Sequence, residues 1–138
     1  MKLSLRADLL EKFAQFINEE NLTGKKSRLR TRLHKTIVAK IETHIEEYKE
    51  LVNEHAVKDD KGEVVTDTTE NDEQIIPLID ANKFQIELNE LMSEEHHFEI
   101  DEDTKGVLEE IFFETERTFH NQEALIYDEL CTIVENIE

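Results

Sequence analysis

The chain has 138 residues, of which 34 are acidic and 16 are basic, so its formal net charge is -18 with neutral histidines. Leu, Ile, Val and Phe together make up about 30% of the chain, whereas disordered chains typically stay below about 20%. This length and composition exclude a disordered protein and predict a single folded domain over 1–138.

The composition also argues against several other classes of protein. The segment at 1–13 lacks the apolar core of a secretion signal, and no apolar run approaches the roughly 18 residues of a membrane span. The single cysteine, Cys131, cannot form an internal disulfide, and three glycines are too few for a glycine-rich phosphate loop. We therefore expect a cytoplasmic protein.

The charge is distributed unevenly along the chain. Residues 1–40 carry a net charge of +6, and residues 41–138 carry a net charge of -24. The acidic part repels nucleic acid and anionic membranes, because binding to either depends on cations that meet phosphate groups. The predicted partner is therefore a protein with a basic surface.

The first predicted elements are a short strand and a helix. Residues 2–6 alternate polar and apolar side chains, which is the pattern of a strand. Apolar residues then recur at helical spacing from Leu9, and the helix is predicted to end near Glu20, before the sequence NLTG at 21–24.

The next segment predicts one long helix at about 25–57. Neither proline nor glycine interrupts it, and an apolar stripe recurs about every fourth residue. The stripe consists of Leu29, Leu33, Ile37, Ile41, Ile45, Tyr48 and Val52. Such a helix outreaches the core of a small domain, so we expect one end to project or to pack against a second copy of the chain.

A polar loop, a second strand and three more helices complete the predicted fold. Residues 58–74 are rich in carboxylates and predict a flexible acidic loop. A helix with Asp80 as its N-cap follows, and residues 97–101 then alternate as a strand that would pair with residues 2–6. The predicted fold is α+β and mainly α, with four or five helices around the long helix and a small two-stranded antiparallel sheet.

A basic stretch at 24–35 interrupts the acidic background. Its cations are the candidate basic interaction face, in which Arg28, Arg32 and Lys35 lie opposite the apolar stripe and Lys25 and Lys26 precede them. Such a face suits the phosphate groups of nucleic acid or of a small anion. The alternative, which we favour, is that these cations pair with carboxylates of the same fold.

Arg30 lies on the apolar side of the same helix, so its guanidinium group is expected to be partly buried. A buried guanidinium group needs a carboxylate or several carbonyl groups around it. Asp128 is the predicted partner in a structural ion pair, and Glu123 and Glu129 are the alternatives.

No motif for catalysis or cofactor binding is present in the sequence. The six histidines form no i, i+4 pair, and the Glu94-x-x-His97 spacing occurs once, whereas a di-iron bundle needs two such motifs. Cys131 follows an apolar residue of a predicted helix, which is typical of an inert buried thiol. We therefore predict no enzyme activity, no cofactor and no metal site.

The segments GKKSRLRTR at 24–32 and EALIYDELC at 123–131 are the two parts of the chain that carry a family resemblance. They resemble small uncharacterised proteins of phages and prophages of Gram-positive bacteria, which form a domain of unknown function. The resemblance covers most of the chain except the acidic loop, and it implies a phage-encoded protein made in a bacterial cytoplasm. It implies no activity and no role for any residue.

The charge and the helical pattern predict a non-enzymatic phage interaction protein that binds a basic host or phage protein through an acidic helical surface. Inhibition of a nucleic-acid-handling or defence enzyme is the sharpest form of this hypothesis. Two alternatives stay open: a virion structural or assembly accessory protein that self-associates through the long helix, and a nucleic-acid-binding protein that uses the basic face. The predicted location is the host cytoplasm or the virion.

Overall fold

A computed structural model describes residues 1–138 and confirms the predicted fold class, which is α+β and mainly α. In chain order the elements are β1 (Lys2–Arg6), a 3-10 turn (Ala7–Leu9), α1 (Leu10–Glu19), α2 (Gly24–His55), β2 (Asp67–Thr68), β3 (Gln74–Ile75), α3 (Ala81–Ser93), β4 (Glu95–Glu99), α4 (Glu102–Phe113) and α5 (Gln122–Glu135). None of the helices combines the length and the apolar character that crossing a membrane requires.

The chain, which the sequence predicts as one domain, forms two compact units. The first comprises Met1–Glu42 and Glu94–Glu138 and is called the core unit here. The second comprises Thr43–Ser93 and is called the acidic unit. The N-terminal part of α2 therefore belongs to the core unit and its C-terminal part to the acidic unit.

The core unit contains the predicted two-stranded sheet. Strands β1 and β4 pair antiparallel, with Leu3 opposite Phe98. Strand β4 lies two residues earlier than the predicted 97–101, because Asp101 serves as the N-cap of α4. Its carboxylate accepts a hydrogen bond from the backbone N–H of Thr104 at 2.8 Å.

The hydrophobic core of this unit combines side chains from β1 and from its helices. Phe112 is fully buried and stacks on Phe13 and Phe16, with ring centroids 5.2 and 4.5 Å apart. The largest fully buried side chains are Leu3, Leu5, Leu10, Phe13, Ile17, Ile37, Leu108, Ile111, Phe112, Leu130 and Val134.

The long helix α2 begins one residue before its predicted start and ends two residues before its predicted end. Gly24 starts it with a φ of +58°, a backbone conformation that glycine adopts at little cost. Along the predicted apolar stripe, Ile37 is buried, whereas Ile45 and Tyr48 are each 39% exposed. A four-residue repeat exceeds one helical turn by about 40°, so the stripe rotates around the helix and cannot face one core along its whole length.

The acidic unit has a small core, in which Ala56 and Phe84 are the only buried hydrophobic residues. Two backbone hydrogen bonds connect the end of α2 to the segment before α3: Val57 N–H donates to the Pro77 carbonyl at 3.0 Å, and Ile79 N–H donates to the His55 carbonyl at 2.8 Å. These bonds fix the last turn of α2 against the start of α3.

The rest of the acidic unit agrees in part with the sequence. The carboxylate of Asp80 accepts hydrogen bonds from the backbone N–H groups of Asn82 and Lys83, both at 3.1 Å, so the predicted N-cap of α3 is confirmed. The acidic loop at 58–74 is largely exposed. The sequence allows a short hairpin around 63–65, where Val64 pairs antiparallel with Lys58, but it did not predict β2 at Asp67–Thr68, which pairs antiparallel with β3.

Candidate functional site

The predicted basic face contains both paired and unpaired cations. Lys25 Nζ lies 2.8 Å from a carboxylate oxygen of Asp103, and this hydrogen bond raises the pKa of the lysine. Lys26 Nζ lies 2.8 Å from Glu110, with the same effect on its pKa. The face keeps three exposed cations that form no ion pair, and these are Arg28, Arg32 and Lys35.

Arg30 does not form the predicted ion pair with Asp128. Its Nη1 donates instead to the backbone carbonyl groups of Ile17 and Glu20, both at 2.8 Å. The last carbonyl groups of a helix have no N–H partner within the helix, so the C-terminal end of α1 offers acceptors to a neighbouring guanidinium group. The prediction is therefore wrong about the partner, and Arg30 caps α1.

Most carboxylates of the protein are free of ion pairs. Eight of the 34 lie within 4.0 Å of a basic nitrogen, and these are Asp8, Glu19, Glu20, Glu46, Glu87, Glu99, Asp103 and Glu110. The other 26 carboxylates are all exposed to solvent. Their charge therefore contributes to the potential outside the protein and is not neutralised within the fold.

The acidic unit carries the higher density of free negative charge. It has 14 carboxylates and four lysines, so its net charge is -10 over 51 residues, against -8 for the core unit. Only Glu46 and Glu87 of these carboxylates are paired, with Lys49 and His55 respectively. Six of the nine exposed large hydrophobic residues also belong to this unit: Ile45, Tyr48, Ile75, Ile76, Ile79 and Ile86. Exposed apolar residues and free charge are both features of protein-binding surfaces, and this unit has both.

The core unit has a groove of about 250 Å³ whose wall contains stacked aromatic rings. Phe119 stacks on Tyr127 with ring centroids 4.2 Å apart, and the Arg117 guanidinium group lies 3.8 Å from the ring centroid of Phe16. Arg117 Nη1 also lies 2.7 Å from Glu19. Because its charge is paired and its plane is stacked, Arg117 fastens the segment between α4 and α5 to α1.

Two ionisable groups of α5 have raised pKa values, which favour their neutral forms. Burial raises the pKa of Tyr127 to about 12, and its hydroxyl donates to the carbonyl group of Phe112. Cys131 Sγ lies 3.8 Å from the same carbonyl group, and burial raises the pKa of the thiol. A raised pKa lowers the fraction of thiolate, which is the nucleophilic form of cysteine.

A cluster of possible metal ligands, which the sequence did not predict, lies in the acidic unit. His55 Nε2 contacts a carboxylate oxygen of Glu87, and one ligand atom from each of Glu54, His55 and Glu87 lies within 4.8 Å of the other two. A cavity of about 270 Å³ adjoins the cluster, and Ile79, Asp80 and Lys83 complete its lining. No local motif reveals the pair, because Glu87 follows His55 by 32 residues.

Comparisons of the chain with protein-family models, with curated proteins and with solved structures found no match. No relative therefore assigns a role to any of these residues.

Proposed function

We propose that the chain is a non-enzymatic, phage-encoded interaction protein whose acidic unit binds the basic surface of a host or phage protein. The observation that supports this proposal is the state of its carboxylates, because 12 of the 14 in the acidic unit form no ion pair and all 12 are exposed. Free surface charge of one sign accelerates the encounter with an oppositely charged partner and orients it.

The sharpest form of the proposal is inhibition of a nucleic-acid-handling or defence enzyme in the host cytoplasm. Such an enzyme carries cations that meet the phosphates of its substrate. A helical unit with 12 free carboxylates presents negative charge to the same cations. The phage context is supported only by the resemblance of the segments at 24–32 and 123–131.

Two variants of equal net charge test which unit binds. The acidic-unit variant replaces six exposed, unpaired carboxylates with their amides: Glu50, Asp60, Glu63, Glu70, Glu73 and Glu90. The core-unit variant replaces six exposed, unpaired glutamates of the other unit with glutamine: Glu42, Glu95, Glu109, Glu114, Glu116 and Glu135. Each variant gains six charge units, so the two differ only in where the charge is removed.

The assay is capture from a host lysate by the immobilised protein, with mass spectrometry of the captured proteins at low and at high salt. We expect basic proteins to bind at low salt and to be released at high salt, since screening shortens the reach of exposed charges. We further expect the acidic-unit variant to capture none of these basic proteins at low salt, and the core-unit variant to capture them as the wild type does. Capture of neutral proteins, or capture that salt does not change, would contradict the proposal.

Self-association through α2 is the second candidate function. Ile45 and Tyr48 are each 39% exposed and lie three residues apart, so they share one side of the helix. Light scattering after size exclusion measures the mass directly. A dimer that Ile45→Lys converts to a monomer would support self-association, whereas a wild-type monomer at all concentrations would exclude it.

Nucleic-acid binding through Arg28, Arg32 and Lys35 is the third candidate, because these cations are unpaired and follow helical spacing. The core unit that carries them has a net charge of -8, which opposes it. A gel shift with duplex DNA at low salt tests for nucleic-acid binding, and absence of a shift would exclude this function.

A further inference from the structure

The acidic unit holds a histidine and two glutamates that converge on one point. We propose that Glu54, His55 and Glu87 bind a divalent transition-metal ion such as Zn²⁺, with the positions not filled by the protein open to the adjoining cavity. This site lies in the same unit as the proposed interaction surface, but it depends on three particular side chains and not on the net charge of the unit.

The fold holds His55 in place from several sides. It is the last residue of α2, and its carbonyl group accepts the hydrogen bond from Ile79 N–H at 2.8 Å. Its side chain is 10% exposed, and its ring meets the ring of Phe84 edge-on, with centroids 5.7 Å apart. Phe84 and Glu87 are three residues apart on α3 and share one side of that helix. The same face of α3 therefore orients the imidazole through Phe84 and supplies Glu87 as a second ligand to the metal ion.

The donor set selects the class of metal ion. One imidazole nitrogen with two carboxylate oxygens suits zinc and its first-row neighbours, whereas Mg²⁺ and Ca²⁺ prefer oxygen ligands alone and Cu⁺ prefers sulfur. Donors to one such ion lie at most about 4.2 Å apart, twice the metal–ligand distance. The three donor atoms lie within 4.8 Å of one another, so the binding of an ion requires only small rotations of the side chains. Glu54 is exposed, and Glu87 is half-buried and already lies against His55, so metal binding would replace the contact between His55 and Glu87 with a bond from each to the ion.

The charges around the cluster favour a cation. Glu54 and Glu87 together match the charge of a divalent ion, and Asp80 lines the same cavity as a further oxygen donor. Lys83, which also lines the cavity, opposes binding, but its side chain is exposed and forms no ion pair that holds it there. Three protein ligands leave at least one coordination position for water or another small ligand, as in open zinc sites.

Titration of the metal-free protein with ZnCl₂ in a calorimeter tests the proposal, with excess Mg²⁺ present to occupy sites made only of oxygen ligands. We expect one zinc ion per chain, and Co²⁺ in its place should show visible absorption bands of nitrogen and oxygen coordination. Glu87→Gln and Glu54→Gln preserve side-chain shape, and each should weaken zinc binding about tenfold or more, the size of effect seen even for residues that only orient a ligand. His55→Gln should abolish binding.

Two matched variants separate the site from general attraction to an acidic protein. Glu90→Gln removes an exposed charge one helical turn beyond Glu87, and His120→Gln removes an exposed imidazole of the core unit. Both should bind zinc within about a factor of two of the wild type, because exposed charges that do not contact the ion are screened by solvent and contribute little. Circular dichroism confirms that each variant is folded. Several weak zinc ions per chain, or equal weakening by Glu87→Gln and Glu90→Gln, would overturn the proposal.

Discussion

Replacing Arg30 with methionine is expected to destabilise the core unit by about 2–4 kcal/mol. Methionine keeps much of the apolar length of the side chain, but it donates no hydrogen bond to the carbonyl groups of Ile17 and Glu20, which Arg30 reaches at 2.8 Å. Hydrogen bonds from a charged donor contribute about 1.5–3 kcal/mol each, and an unsatisfied buried acceptor costs about 1–3 kcal/mol. Arg30 Nε is buried without a hydrogen-bond partner, and methionine removes that unfavourable group. The net loss is therefore expected to be smaller than the sum of the two bonds.

Urea unfolding followed by far-ultraviolet circular dichroism measures this loss. With a denaturant slope of about 2 kcal/mol per M, the midpoint should fall by about 1–2 M. Asp128→Asn is the matched variant, because the Asp128 side chain is exposed and forms no ion pair, so its effect should stay within about 0.5 kcal/mol. Equal destabilisation by Arg30→Met and Asp128→Asn would show that the ion pair exists and that the helix-capping explanation is wrong.

Three further measurements test the packing and the ionisation of the core unit. Phe112→Ala should destabilise it by about 3–5 kcal/mol in thermal or urea unfolding, because the fully buried ring supports two stacked aromatic neighbours, and a loss below about 1 kcal/mol would contradict this packing. Ultraviolet titration should show Tyr127 ionising at about 12. Because this folded-state pKa lies above the unfolded value of about 10, the contribution of Tyr127 to stability is complete below about pH 10 and is lost as the pH rises towards 12, a loss that Tyr127→Phe should remove. Iodoacetamide should alkylate Cys131 more slowly at neutral pH in the folded protein than in urea, because burial raises the pKa of the thiol, and equal rates would contradict its burial.

The elements of this fold could be predicted from the sequence because their signals are local. Alternation at 2–6 predicted β1, and four-residue spacing of apolar side chains predicted α2 to within two residues at each end. Asp80 could be recognised as an N-cap because a capping side chain precedes the helix that it caps. The predicted position of β4 was two residues late, because alternation alone did not show that Asp101 belongs to the cap of α4.

Contacts between distant segments could not be predicted in the same way. Partial burial of Arg30 followed from its place on the helix, but its partner depended on which end of which helix lies beside it, and every helix end offers free carbonyl groups. The contact between His55 and Glu87 joins two helices across 32 residues, so no spacing rule connects them. The rotation of the apolar stripe from Ile37 to Ile45 follows from helix geometry, but the division of the chain into two units does not.

The affinity of the protein for a labelled arginine-rich peptide, measured by fluorescence anisotropy at low and at high salt, tests most directly whether the acidic unit is the binding surface. Exposed charge pairs contribute about 0.2–1 kcal/mol each, so the six substitutions of the acidic-unit variant should weaken binding about tenfold or more. The core-unit variant should bind within about twofold of the wild type, and high salt should abolish binding by all three proteins. Equal weakening in the two variants would show that binding follows net charge alone, and it would contradict the assignment of the surface to Thr43–Ser93.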